Sequence, residues 1–234
     1  HSVLQISTNF TALNSTLING EFNYTDKTLN GSLVAKRNNS ELLNGKFNLP
    51  LTFSLQPYHL DLSNKSEVNG TFKSHLNIEN IIQEVFNDIG ITLTGTLDSN
   101  INMSGTVENP IFNGFLKLSD ASFYDASSNT KLKRINGEAL LEKDTIKIMS
   151  LYARDKNKGQ LDISGTINFL ELTNPQFDLK AKLKSMKLAE SKMLIAAADA
   201  DISFISNNTD YILSGSIEPI EVLLDLTDIF NQSI

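Results

Sequence analysis

One stretch constrains this chain more than any other. From Ile91 to Val107, apolar and polar residues alternate without a break. The odd positions read Ile91, Leu93, Gly95, Leu97, Ser99, Ile101, Met103, Gly105 and Val107. The even positions read Thr92, Thr94, Thr96, Asp98, Asn100, Asn102, Ser104 and Thr106. Side chains in a strand point alternately to opposite faces, so this pattern predicts a strand with one aliphatic face and one polar face. At ~3.3 Å per residue such a strand would run ~55 Å, well beyond the usual length.

The same alternation recurs along the chain. It appears in Phe47, Leu49, Leu51, Phe53 and Leu55, then in Phe112, Gly114, Leu116 and Leu118, and in Ile146 and Ile148. It returns in Leu161, Ile163, Gly165, Ile167 and Phe169, and in Phe177, Leu179, Ala181 and Leu183. Ile202 and Phe204 precede Tyr211, Leu213, Gly215 and Ile217. About a dozen such runs, joined by Asn, Asp, Ser, Gly and Pro, predict an all-β chain. Eleven of the twelve glycines lie in or beside these runs. Glycine inside a strand weakens it but permits a bend. Long strands bent at glycines make a curved, mostly antiparallel sheet that folds over on itself, with its aliphatic side inside.

The positions expected to line that inner face are Leu93, Leu97, Ile101, Met103, Val107, Phe112, Leu116, Leu118, Ile146, Ile148, Leu161, Ile163, Ile167, Phe169, Phe177, Leu179, Leu183, Ile202, Phe204, Leu213 and Ile217. Such a groove suits acyl chains, each buried methylene contributing ~0.8 kcal/mol. With strands ~4.8 Å apart, a dozen of them would make a trough ~60 Å long.

One helix is expected, over 78–89. Ile78, Ile81, Ile82, Val85, Phe86 and Ile89 follow the spacing of one helical face, Asn77 can cap the start and Gly90 can end it. It either covers one end of the core or acts as a gate or plug in the groove. Lys187–Ala198 reads equally as helix, loop or strand, and Pro219–Phe230 as helix or strand.

Composition excludes several functions. The net charge of -7 gives no basic surface for nucleic acid or for anionic membranes. There is no cysteine, hence no disulfide and no thiolate metal site. His1, His59 and His75 form no metal or triad pattern, and carboxylates such as Glu138, Glu142 and Asp144 are scattered along polar faces. No glycine-rich phosphate loop occurs. No catalytic residue, metal site or cofactor is therefore expected. Asn-x-Ser/Thr triplets such as Asn69-Gly70-Thr71 are read as products of an Asn-rich composition, not as glycosylation sites. No run approaches the roughly 20 apolar residues of a membrane-spanning helix. The start has neither a basic nor an apolar leader, so the chain is read as one continuous groove segment of a larger protein, its boundary over 219–234 open.

The segment from Gly105-Thr106 through Asn109-Pro110 to Gly114-Phe115-Leu116-Lys117-Leu118 resembles a recurring phrase of the TamB family. Ala121-Ser122-Phe123-Tyr124, Ile135-Asn136-Gly137 and Leu161–Gly165 follow in the same order. A weaker echo joins Gly165-Thr166 to Asn174-Pro175-Gln176-Phe177, and Leu49-Pro50-Leu51 and Asn69-Gly70-Thr71-Phe72 resemble the lead-in to the short helix. TamB is the inner-membrane-anchored subunit of the translocation and assembly module and is related to AsmA-like proteins. The resemblance implies a U-shaped β-taco with an apolar interior. It implies the periplasm of a diderm bacterium, anchorage of the full-length protein in the inner membrane, and a TamA-like outer-membrane barrel as partner. It also implies phospholipid movement between the membranes, without catalysis, and a part in outer-membrane biogenesis. A role in outer-membrane protein assembly has been argued for the family as well.

Two rival architectures also alternate. A closed structural or adhesive sandwich would bury its apolar faces against each other. An outer-membrane barrel would carry aromatic girdles, yet the chain has no tryptophan and five tyrosines.

Overall fold

The computed structural model describes residues 4–12, 16–55, 58–79, 90–155, 158–169, 174–190, 194–206 and 210–224. They form β1 (Leu4–Ala12), β2 (Thr16–Thr25), β3 (Thr28–Arg37), β4 (Ser40–Pro50), β5 (Thr52–Leu55), β6 (Tyr58–Asp61), β7 (Asn69–Asn77) and β8 (Ile91–Gly105). These are followed by β9 (Pro110–Asp125), β10 (Thr130–Glu142), β11 (Thr145–Asp155), β12 (Gln160–Asn168), β13 (Gln176–Glu190), β14 (Leu194–Ser206) and β15 (Tyr211–Leu224). Thirteen strands make one sheet in chain order from β1 to β15, and β5 and β6 make a separate two-stranded sheet. The order begins at β1 and ends at β15 without pairing them, so the sheet is open and not a barrel. The all-β class and the antiparallel sheet are those the alternation requires. The long run at Ile91 is indeed one strand, ending at Gly105 instead of Val107.

Beyond Glu79, the helix expected over 78–89 lies outside the described residues. Both flanks are described. Asn77 Oδ1 accepts the Glu79 N–H at 3.1 Å, the bond of a helix N-cap. Gly90 has a φ of 69°, the geometry in which glycine closes a helix. The stretches left open by the sequence are strand where described. Lys187–Glu190 completes β13, Leu194–Ala198 begins β14 and Pro219–Leu224 completes β15.

The chain divides into two compact units. Unit 1 holds residues 1–76, 97–116 and 140–144, and unit 2 holds 77–96, 117–139 and 145–234.

In unit 1, glycines and large side chains take turns across the strands. Phe22, Gly31, Phe47 and Gly70 stand opposite one another in successive strands, and so do Gly20, Leu33, Gly45 and Phe72. Cross-strand partners share a face. Each glycine makes room for a ring: a Cβ on Gly31 would overlap the Phe47 ring, and one on Gly45 would come within 2.7 Å of the Phe72 ring. On the opposite face Asn23, Asn30, Asn48 and Asn69 line up in the same way. Asn48 Nδ2 donates to Asn30 Oδ1 at 2.7 Å. Four of the chain's asparagines thus serve one polar face.

In unit 2, three strands carry residues in left-handed conformations, where side chains cost energy. These are Asp120 (φ 49°) in β9, Arg134 (φ 52°) in β10 and Ser185 (φ 46°) in β13. The registers slip between Ile148 and Leu151, between Leu183 and Met186, and at Ala197/Ala198. Side chains staple these irregular places to backbone. Asn136 Oδ1 accepts the Asp120 N–H at 3.1 Å, and Asp199 Oδ1 accepts the Ser185 N–H. The buried Asp155 carboxylate accepts the N–H groups of Gly159 and Lys187, both at 2.7 Å.

Candidate functional site

The apolar face is the candidate site, and it is taken unit by unit. In unit 2 the registers of β11 to β15 sort the side chains into rows. One row reads Ile148, Gly165, Leu179, Phe204 and Leu213. The next reads Leu151, Ile163, Ala181, Ile202 and Gly215. A third reads Ala153, Leu161, Leu183, Ala200 and Ile217, and a shorter one Ile146, Ile167 and Phe177. Residues paired across antiparallel strands project to the same side, so every expected lining residue of these strands stands on one face. Phe177 and Phe204 lie 5.7 Å apart between ring centroids, and Phe204 stacks on Tyr211 at 6.0 Å.

The two sides differ in cover. Along β12 and β13, Leu161, Ile163, Phe177, Leu179 and Leu183 are half-buried, whereas Asp162, Ser164, Asp178, Lys180 and Lys182 are exposed. The outer side carries alternating charge: Asp162, Lys182 and Asp201 stand in register, and Lys182 Nζ lies 3.6 Å from Asp201 Oδ1. At β15 the cover ends. Leu213 is 71% and Ile217 59% exposed, against a half-buried Phe204 and a buried Ala200 opposite them on β14. Leu93 and Leu118, also in unit 2, are half-buried, as is Phe169, which follows the end of β12.

In unit 1, Leu97, Ile101, Met103, Phe112 and Leu116 are half-buried. Met103 Cε sits 3.1 Å from where a Gly70 Cβ would be, which continues the Phe22–Gly31–Phe47–Gly70 row onto β8. Val107 lies past the end of β8, where its N–H donates to Ser66 O, so it is a turn residue and not a strand position. Sidedness is weaker in this strand: Ser99 and Asn100 are as half-buried as Ile101. His75 is exposed and paired, its Nδ1 2.6 Å from Asp98 Oδ1.

Among the described residues, the buried apolar set is half alanine, and its larger members, such as Met186, Ile135 and Leu141, are few. A closed two-layer sandwich seals its large inward side chains at interior packing density. A face whose large side chains are mostly half-covered is what an open groove presents.

Sequence reasoning missed two groups. Phe22, Leu33 and Phe72 belong to the unit 1 rows, and a repeated phrase signals them: Asn-Gly-Glu-Phe at 19–22, Asn-Gly-Ser-Leu at 30–33, Asn-Gly-Lys-Phe at 44–47 and Asn-Gly-Thr-Phe at 69–72. Leu151, Ala153 and Met186 belong to unit 2. They lie beyond the register slips, where strict odd-even counting assigns them to the wrong face.

Residues 149–222 match the family model of the TamB C-terminal domain. The match lies within unit 2 and takes in most of its rows. The Gly105–Leu118 phrase lies outside it. No curated protein and no solved structure matches the chain.

Proposed function

This chain is a TamB-family chain over residues 149–222, and from that premise we propose that it is one stretch of a hydrophobic conduit for phospholipid. One observation carries the reading. The apolar rows of unit 2 lie on a single face whose large side chains are mostly half-buried or exposed, with charged residues on the reverse. Acyl chains gain the burial that the protein's own side chains leave incomplete. The work is transport, with no bond made or broken.

In this reading the chain acts in the periplasm of a diderm bacterium. The full-length protein is held in the inner membrane and works with a TamA-like outer-membrane barrel. No helix among the described residues is long and apolar enough to cross a membrane. A second reading, a scaffold for outer-membrane protein assembly, is favoured by β15. This strand ends the sheet order and is exposed along its full length. Among the described residues no strand pairs with its outer edge, and such an edge offers backbone groups to an incoming strand.

The test is sided crosslinking. A photoreactive residue at Ile163 or Leu179 should capture phospholipid, and the same residue at Ser164 or Lys180 should not. Equal capture from both sets rejects a sided groove. Ile101→Arg should leave the chain folded, because the Arg head extends from an open groove to water. It should abolish rescue of outer-membrane integrity by the full-length protein. In a closed sandwich the same change buries an unpaired charge and unfolds the chain.

A further inference from the structure

We propose that the β5–β6 hairpin is a flap over one end of unit 1's apolar face, displaced when an acyl chain enters. The proposal rests on the conduit reading above.

The chain leaves the sheet at Pro50, the last residue of β4, and rejoins it at Asn69, the first of β7. Asn48 and Asn69 are opposite in register, so the excursion starts and finishes at the same end of two neighbouring strands. A tight turn of two to five residues joins such strands. The excursion spends residues 51–68 instead and folds some of them into a hairpin. Its strands pair with each other, Thr52 opposite Asp61 and Leu55 opposite Tyr58, and not with the large sheet. A two-stranded hairpin alone is marginal in water and needs a surface to lie on.

That surface is the apolar face. The Phe53 ring meets the Tyr24 ring edge-on, at 90° with centroids 6.2 Å apart. The Phe53 N–H donates to Tyr24 Oη at 3.2 Å. Tyr24 stands opposite Leu29 and Leu29 opposite Leu49, which makes the row beside Phe22, Gly31 and Phe47. Phe53 therefore occupies space over the last row of the groove wall. At the flap's root the Leu51 N–H donates to Lys27 O at 2.9 Å.

The chemistry of this docking makes it exchangeable. An acyl chain on Tyr24, Leu29 and Leu49 replaces ring contact with methylene contact of the same kind, and Tyr24 Oη, at the end of the row, can turn to water. A closed flap lowers the apparent affinity of the groove by the fraction of molecules that are closed.

The experiment titrates the chain with cis-parinaric acid, a fluorescent fatty acid, and follows amide hydrogen exchange over 58–61. Phe53→Ala should bind the probe about tenfold tighter, the factor expected when the closed state loses an aromatic pair and its packing. Tyr24→Phe keeps the ring and loses only the hydrogen bond, so it should gain about twofold. In the wild-type chain, saturating probe should speed exchange over 58–61 and leave β12–β13 unchanged. If the probe binds but the hairpin does not respond and Phe53→Ala binds no tighter, the flap is overturned and the conduit stands. If neither the wild type nor either variant binds, with β-content intact by circular dichroism, both readings are overturned.

Discussion

Units 1 and 2 meet the same requirement with different parts. Each holds strands in register with one greasy and one wet face. Unit 1 does it through side-chain fit, rings seated over glycines on one side and a neutral amide row on the other. Unit 2 does it through the backbone, with left-handed residues and register slips fixed by Asn136, Asp155 and Asp199, and with charges in register outside. The difference teaches where each unit tolerates change. A misfit at Gly20, Gly31 or Gly45 of unit 1 can be absorbed by trimming a side chain. A misfit at Gly165 or Gly215 of unit 2 meets main chain that cannot be trimmed.

The hardest test of that contrast is glycine replacement. Gly165 has a φ of 135°, and a Cβ there would overlap the Asp178 carbonyl oxygen. Gly165→Val should cost more than ~3 kcal/mol, from strained backbone and overpacking together. Gly31→Ala should cost ~1–3 kcal/mol by overpacking, and Phe47→Ala in the same chain should return part of it. A double-mutant cycle by thermal melting measures this. Additive losses at Gly31 and Phe47 would erase the distinction between the units.

Next in size are the polar staples. Asp155→Ala orphans the Gly159 and Lys187 N–H groups and should cost ~2–3 kcal/mol in urea unfolding. Asn48→Ala removes an exposed amide bond and should cost less than ~1 kcal/mol. Comparable losses would mean the amide row holds unit 1 as firmly as carboxylates hold unit 2.

Smaller effects come from charge. Asp125, at the β9–β10 turn, has its pKa lowered from 3.8 to about 2, chiefly by the Ser128 hydroxyl and then by Ser127. A carboxyl whose folded pKa is depressed stabilises the fold above its unfolded pKa and loses that contribution as pH falls. The loss should therefore develop between 3.8 and about 2, and Asp125→Asn should melt with a flatter acid profile over that window. The least effect is expected of salt. The exposed Lys182–Asp201 pair should give up at most ~1 kcal/mol at high ionic strength, with unit 1's amide row unmoved.

How far the sequence could be read follows from these parts. Period two survives wherever strands are regular, so the rows from Leu161 to Leu183 were legible residue by residue. It fails across a slip: Ile146 and Ile148 share a face with Leu151, an odd position, because two residues bulge between them. Nothing local to Met149-Ser150 marks that bulge, whose cause is pairing with β12. Asn-Gly misleads in another way. It is the strongest short hairpin signal, yet Asn19-Gly20, Asn30-Gly31 and Asn44-Gly45 lie inside strands. There the glycine is wanted for the ring opposite it, which a single strand's sequence does not reveal. The flap was invisible for a related reason. Phe53 alternates with Leu51 and Leu55 as a sheet strand would, and only the adjacency of β4 and β7 shows that the segment left the sheet.

The chain-order arrangement of the strands has a kinetic meaning. Each strand of the large sheet pairs with those next to it in sequence, the β5–β6 detour aside. Most loops to be closed are short, the 78–90 connection excepted, and contacts form between segments made one after another. Such a chain behaves as a nearest-neighbour array: order can start at any hairpin and spread outward, and disorder can spread inward from either end. Damage to one strand then interrupts the array where it falls and leaves pairs further along to form on their own.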